Sequence, residues 1–169
     1  MFKTKIQKNI TIFLTFIYIL LLIWIILFKL QINFSELSYI KNINLIPFHE
    51  SMFINGHISL KEIIYNIIIF IPLGIYTNIF KSTWSFIKKV LPSLGVSLSF
   101  EILQYLFAIG ASDITDVIEN TLGGTIGIFI YILFHKAFKE KTITIINIIA
   151  TIISILAICI IILLEVVNI

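Results

Sequence analysis

Long apolar runs constrain this chain more than any other feature of its sequence. Five runs, at residues 10–28, 63–80, 90–109, 114–134 and 143–167, are each close to the ~20 residues that a helix needs to cross a bilayer. Charged residues make up only 12% of the 169 residues, against the ~25% usual in a soluble domain. The sequence therefore predicts an all-α integral membrane protein. We expect a bundle of about five transmembrane helices in a single domain, residues 1–169.

The lysines predict how these helices are oriented. All twelve basic residues are lysines, and the chain has no arginine. With a cytoplasmic N-terminus, nine lysines fall on the cytoplasmic side and three (Lys29, Lys41 and Lys61) on the outer side, as the positive-inside rule requires. We therefore expect the N-terminus inside, the C-terminus outside and the lipid bilayer as a partner, with no role for nucleic acid. The first run ends without a small-residue cleavage site, which favours a retained span over a signal peptide.

Segment 30–62 is the longest polar stretch. It contains the motif NLIPF at 44–48, where Pro47 argues against a continuous helix, and we expect the segment to lie at the membrane interface or to re-enter the membrane. Asn66 and Pro72 interrupt the second run, and a tight turn at 110–112 joins the third run to the fourth. His49 and His57 do not have a zinc-binding spacing. The sequence predicts neither a metal site nor a cofactor.

Polar residues are concentrated in the apolar region 99–127. They are Glu101, Gln104, Asp113, Asp116, Glu119 and Asn120. In the predicted orientation they collect in the outer half of the bilayer, together with Asn66 and the loop that carries Asn44. At 100° per residue, Asp113, Asp116, Asn120, Gly124 and Gly127 share a sector of about 80°, and Glu119 lies outside it. This sector should face the interior of the bundle.

No lysine lies within the spans, so the sequence provides no evident counter-ion for these carboxylates. Three solutions remain open: protonation with shared hydrogen bonds, a bound cation, or a hydrated outer cleft. Structural roles compete with a functional site. Asp113 and Asp116 could cap a helix, Gly123 and Gly127 form a small-xxx-small pair for close packing, and Pro72 with Gly74 could kink a helix. The chain carries no recognised catalytic motif.

Four sequence segments resemble the VanZ-like family when they are taken in order. They are NLIPF at 44–48, NIIIFIPLG at 66–74, EILQ at 101–104 and DITDVIENTLGGTIG at 113–127, and the resemblance covers about 44–134. The additional helices are 10–28 and 143–167. Many family members carry an arginine in the turn before the first aspartate, where this chain has Gly110, and an apolar residue at the position of Glu119.

The resemblance implies a multi-pass protein of the bacterial cell membrane that is associated with teicoplanin resistance. The implied partner is a lipid-linked cell-wall precursor or the lipoglycopeptide itself. The implied polar residues are Asn66, Glu101, Gln104, Asp113, Asp116 and Asn120, supported by Asn44, Pro47, Phe48, Pro72, Gly74, Gly123, Gly124 and Gly127. The sequence leaves two alternatives open: an intramembrane enzyme acting on a lipid-linked headgroup, and a cation or proton pathway.

Overall fold

The computed structural model describes residues 2–28, 40–47, 53–54, 57–58 and 60–167. Five α-helices account for most of this part of the chain, and their ends differ by only a few residues from the predicted apolar runs. They are α1 (Lys5–Phe28), α2 (Leu60–Phe80), α3 (Phe86–Phe107), α4 (Ile114–Phe138) and α5 (Thr142–Val167).

Four stretches of the described chain are long and apolar enough to cross a membrane. They are Lys5–Leu27, Leu60–Phe80, Phe86–Phe107 and Ile114–Leu163. The fourth stretch runs through α4, a short 3-10 turn (Lys139–Lys141) and α5. The helical, membrane-type architecture is therefore confirmed, while the count of five spans and their orientation stay predictions.

Two short strand pairs add to this helical framework. β1 (Ile40–Asn44) pairs in parallel with β4 (Ile109–Asp113), which places Asn44 opposite Asp113, and β2 (Phe53–Ile54) pairs with β3 (His57–Ile58). Ala108, with a left-handed φ of 54°, ends α3 and leads the chain into β4. A five-residue strand thus occupies the region where the sequence predicted a tight turn, because its pairing partner comes from a distant part of the chain.

The chain divides into two compact units. The first unit comprises Met1–Leu21 and Leu133–Ile169, and the second comprises Leu22–Ile132. In the first unit, hydrogen bonds join α1 to α5: the Gln7 amide donates to Thr144 Oγ1 at 3.0 Å, and the Thr11 hydroxyl donates to Asn147 Oδ1 at 3.1 Å. These contacts pair polar side chains on two otherwise apolar helices.

The second unit contains α2, α3 and most of α4. Glycines allow the main chains of α2 and α4 to approach closely. A Cβ atom added at Gly74 would collide with the carbonyl of Gly124, and one added at Gly127 would collide with the carbonyl of Ile71. Gly123 is similarly tight against Ile67. These contacts are those expected of a small-residue helix interface. Pro72 lies inside α2, which continues past it to Phe80.

Candidate functional site

The polar network begins at Asp113, the residue that precedes α4. Its Oδ1 accepts a hydrogen bond from the Thr115 backbone N–H at 2.7 Å, which is the geometry of a helix N-cap. Its Oδ2 accepts a hydrogen bond from the Asn44 side-chain amide at 3.1 Å. Asp113 therefore caps α4, one of the roles that the sequence left open, and the same side chain also links α4 to the end of β1.

Asn44 shapes the motif that follows it. Its side-chain Oδ1 accepts a hydrogen bond from the Ile46 N–H at 3.1 Å, a contact typical of an Asx turn. Asn44 itself is buried, whereas Pro47 is exposed in the turn. Phe48 and His49 lie outside the described residues. The beginning of NLIPF thus positions an amide against Asp113.

Glu101 connects α3 to the same junction. Its Oε2 accepts a hydrogen bond from the Asp113 backbone N–H at 2.7 Å, and the residue is only 6% exposed. Glu101 and Asp113 therefore meet at the start of α4 through the main chain.

Asn66 of α2 holds two carboxyl groups of α4. Its side-chain amide donates to Asp116 Oδ1 at 2.9 Å and to Glu119 Oε2 at 3.0 Å. Glu119 is only 3% exposed, and Asp116 is half-buried. The helical projection put Glu119 outside the polar sector. Glu119 nevertheless reaches Asn66, because it lies three residues after Asp116 and is therefore its neighbour on the surface of α4.

Acidic groups dominate the electrostatics of this network. Four other carboxyl groups are close enough to Asp116 to interact with it electrostatically: Glu101, Asp113, Glu119 and Glu62. Among the lysines whose side chains the structure describes, none forms an ion pair with Asp113, Asp116 or Glu119. Within the part of the chain that the structure describes, no group of three His, Cys, Asp or Glu side chains could hold a metal ion. The hydrogen bonds that these three carboxylates accept come instead from side-chain amides and backbone N–H groups.

A second set of polar groups lies one helical turn further along α4. The Asn120 amide donates to Ser97 Oγ at 2.9 Å, and both residues are almost fully buried. Asn120 Oδ1 and the hydroxyl of Ser93 have no hydrogen-bond partner among the described residues. A Cβ atom at Gly124 would collide with Ser93 Oγ, so the glycine leaves the space that this hydroxyl occupies.

Gln104 has a different neighbour from the acidic residues. Its amide donates to the carbonyl of Ile26 in α1 at 3.1 Å. This contact ties α3 to the end of α1 within the second unit. Of the six predicted polar residues, Asn66, Glu101, Asp113 and Asp116 belong to the acidic network, Asn120 belongs to the set beside Ser97, and Gln104 bonds to α1.

Sequence reasoning missed several members of these two sets. Glu119, Ser97 and Ser93 are all buried. Glu119 accepts a hydrogen bond from Asn66, and Ser97 accepts one from Asn120. A spacing of four residues links Lys89, Ser93, Ser97 and Glu101 and would have identified them as one face of α3. Buried polar groups therefore continue along α3 beyond Glu101, to Ser97 and Ser93.

A comparison with protein-family models matches residues 15–135 to VanZ/LLP1. This match covers more than half of the chain. The chain belongs to the VanZ/LLP1 family. The residues of the acidic network and of the set beside Ser97 all lie within the matched region, whereas α5 lies outside it.

A curated relative agrees with this assignment. Protein VanZ of Enterococcus faecium is 43% identical over 127 residues, which cover 74% of this chain and 75% of the relative. No solved structure matches the chain.

Proposed function

We propose that this protein acts at the outer face of the bacterial cell membrane and lowers susceptibility to teicoplanin. Family membership supports the envelope setting. The lysine distribution supports the orientation, because the positive-inside rule then predicts that the start of α4 and the strands β1 and β4 lie toward the outside. In this proposal, the network around Asp116 acts on or shields a lipid-linked cell-wall precursor, or engages the lipoglycopeptide itself.

The observation that carries the proposal is the amide of Asn66 held between Asp116 and Glu119. Carboxyl groups are costly to place in a membrane, and they mark functional sites there more often than simple packing contacts. Here they come from α3 and α4 and converge with amides from α2 and β1. A ligand for such a site must supply hydrogen-bond donors or positive charge, as the hydroxyl, amide and amine groups of wall precursors and glycopeptides do.

Teicoplanin susceptibility of a sensitive host tests this function. Expression of the wild-type chain should raise the minimum inhibitory concentration, and Glu101→Ala and Asp116→Ala should each abolish the increase at equal membrane abundance. Glu140→Gln is the matched control, because it removes an exposed carboxylate from the first unit. A wild-type chain that gives no protection would exclude the resistance role. Full protection by both alanine variants would exclude the network from the mechanism.

The polar face of α3 favours a cation or proton pathway as a second candidate. Ser93 and Ser97 are fully buried, and they precede Glu101 on α3 at intervals of one helical turn. At the far end of the face, the Lys89 ammonium donates to Asn78 Oδ1 at 2.6 Å, and the Asn78 amide donates to the carbonyl of Ile128.

Ion flux into proteoliposomes separates the two candidates. A pathway predicts proton or cation flux above that of empty liposomes, and Ser97→Ala should reduce it. Ser99→Ala is the control, because Ser99 is exposed on the same helix and its hydroxyl donates to the Gly95 carbonyl. Flux no higher than in empty liposomes would exclude this candidate and leave the resistance proposal unaffected.

A further inference from the structure

The first unit contains a groove between the start of α1 and the start of α5. Its volume is about 530 Å³, within the ~300–1,000 Å³ typical of small-molecule sites. The end of the groove nearest the starts of the two helices is lined by Lys3, Thr4 and Thr144. Further along both helices the groove is lined by Ile10, Ile148 and Ile152. The charged residue of the lining thus lies near the start of α1, and isoleucines are interspersed with polar residues further along both helices.

Internal hydrogen bonds make the deeper part of the groove more apolar than its composition suggests. The Thr151 hydroxyl donates to the Asn147 carbonyl at 2.8 Å, and Asn147 Oδ1 accepts from Thr11 at 3.1 Å. These polar atoms bond within the protein, so the methyl and methylene groups beside them complete an apolar wall. An acyl chain suits such a wall, because it contributes apolar surface and no hydrogen-bonding groups.

Lysines are concentrated near the starts of α1 and α5, the two helix ends that form the groove, and Lys3 lines it. Six exposed lysines belong to this end of the first unit: Lys3, Lys5, Lys8, Lys136, Lys139 and Lys141. The acidic group that faces them is Glu140, whose carboxylate pairs with Lys3 at 2.9 Å. This carboxylate carries a single negative charge, so it balances only one of the six lysines. The excess positive charge matches an anionic headgroup.

We propose that this groove binds one anionic phospholipid, with its headgroup at the lysine cluster around Lys3 and an acyl chain along Ile10 and Ile148. All residues that line the groove lie outside the region matched by the family model, and none belongs to the acidic network, so this proposal does not rest on the function proposed for that network. Bound lipid would fill the space between α1 and α5 at the membrane surface.

Native mass spectrometry of the purified, delipidated full chain tests the site. The protein is titrated in non-ionic detergent with phosphatidylglycerol or with phosphatidylcholine of the same acyl chains. The first phosphatidylglycerol should bind more tightly than phosphatidylcholine. Lys3→Gln should weaken it about five-fold, the effect of one lysine near an anionic surface, whereas Lys88→Gln, which removes an exposed lysine of the second unit, should not.

A second pair of variants separates groove binding from loose attraction to the lysines. Ile148→Trp fills the groove without changing charge and should abolish the tight binding. Ile155→Trp, at an equally exposed position of α5 that does not line the groove, should preserve it. Equal binding of the two lipids by the wild-type chain would overturn the proposal. Wild-type phosphatidylglycerol binding by Ile148→Trp would also overturn it, because the lipid would then not occupy the groove.

Discussion

Single atoms decide how closely α2 and α4 pack. At Gly127, an added methyl group would meet the carbonyl of Ile71, and main-chain atoms cannot move aside as the end of a flexible side chain can. Gly95 on α3 is the opposite case, since nothing lies within 4 Å of the position its Cβ would take. The same substitution should therefore have opposite effects at two helical glycines.

We predict that Gly127→Ala lowers the free energy of unfolding by about 1–3 kcal/mol, the usual cost of overpacking. Gly95→Ala should be neutral or stabilising by up to about 1 kcal/mol, because alanine is the better helix former. Thermal unfolding of both variants in the same detergent measures the difference. Equal stability of the two variants would contradict the close main-chain contact between α2 and α4.

The start of α4 depends on one residue outside the helix. Asp113 caps the helix through Thr115, accepts a hydrogen bond from Asn44, and presents its own N–H to Glu101. Three elements, β1, α3 and α4, thus meet at a single side chain and its main chain. The capping bond belongs to α4 alone, whereas the other two contacts depend on tertiary structure.

We expect Asp113→Ala to destabilise the protein by about 1 kcal/mol through loss of the cap alone, and by more if Asn44 is left without its partner. Asp113→Asn should retain most of this stability, because asparagine is an equally good cap and keeps one acceptor oxygen. Chemical unfolding in detergent distinguishes the variants. Wild-type stability in the alanine variant would show that the cap contributes nothing.

The polar contact between α1 and α5 is measurable by a double-mutant cycle. Thr11→Val and Asn147→Leu each remove one side of the buried 3.1 Å hydrogen bond. Their effects on unfolding free energy should couple by about 0.6 kcal/mol, the average for such bonds between membrane helices. A cycle of Thr15→Val with Asn147→Leu is the control, because the Thr15 hydroxyl bonds within α1 and should show no coupling.

At the scale of the whole molecule, the lysine distribution predicts the orientation in the membrane. Fusion of alkaline phosphatase after Val167 should give an active enzyme, because the C-terminus is expected outside, where the enzyme folds. Fusion after Lys88 should give an inactive one, since that segment is expected in the cytoplasm. Enzyme activity per fused protein in whole cells is the measurement. The reverse pattern would move the acidic network to the cytoplasmic side and remove the basis for the proposed function.

The sequence by itself determined the helices and most of the acidic residues of the network. Apolar runs of bilayer length leave the backbone few alternatives to helix, because every N–H and C=O group in a membrane needs a partner within the protein. The glycines at helical spacing predicted a packing face for the same local reason. Polar residues in such runs are conspicuous because burying them is costly, which is why Glu101, Asp113 and Asp116 could be identified in advance.

Only the tertiary structure decided which polar groups meet. The pairing of β1 with β4 brings Asn44 to Asp113, and no local pattern near either residue encodes that contact. The projection of a single helix excluded Glu119, yet Asn66 on another helix reaches it together with Asp116. Gln104, one turn from Glu101, bonds to α1 instead. Spacing within a helix fixes which side chains share a face, whereas the partner of each hydrogen bond depends on which other helix or strand packs against that face.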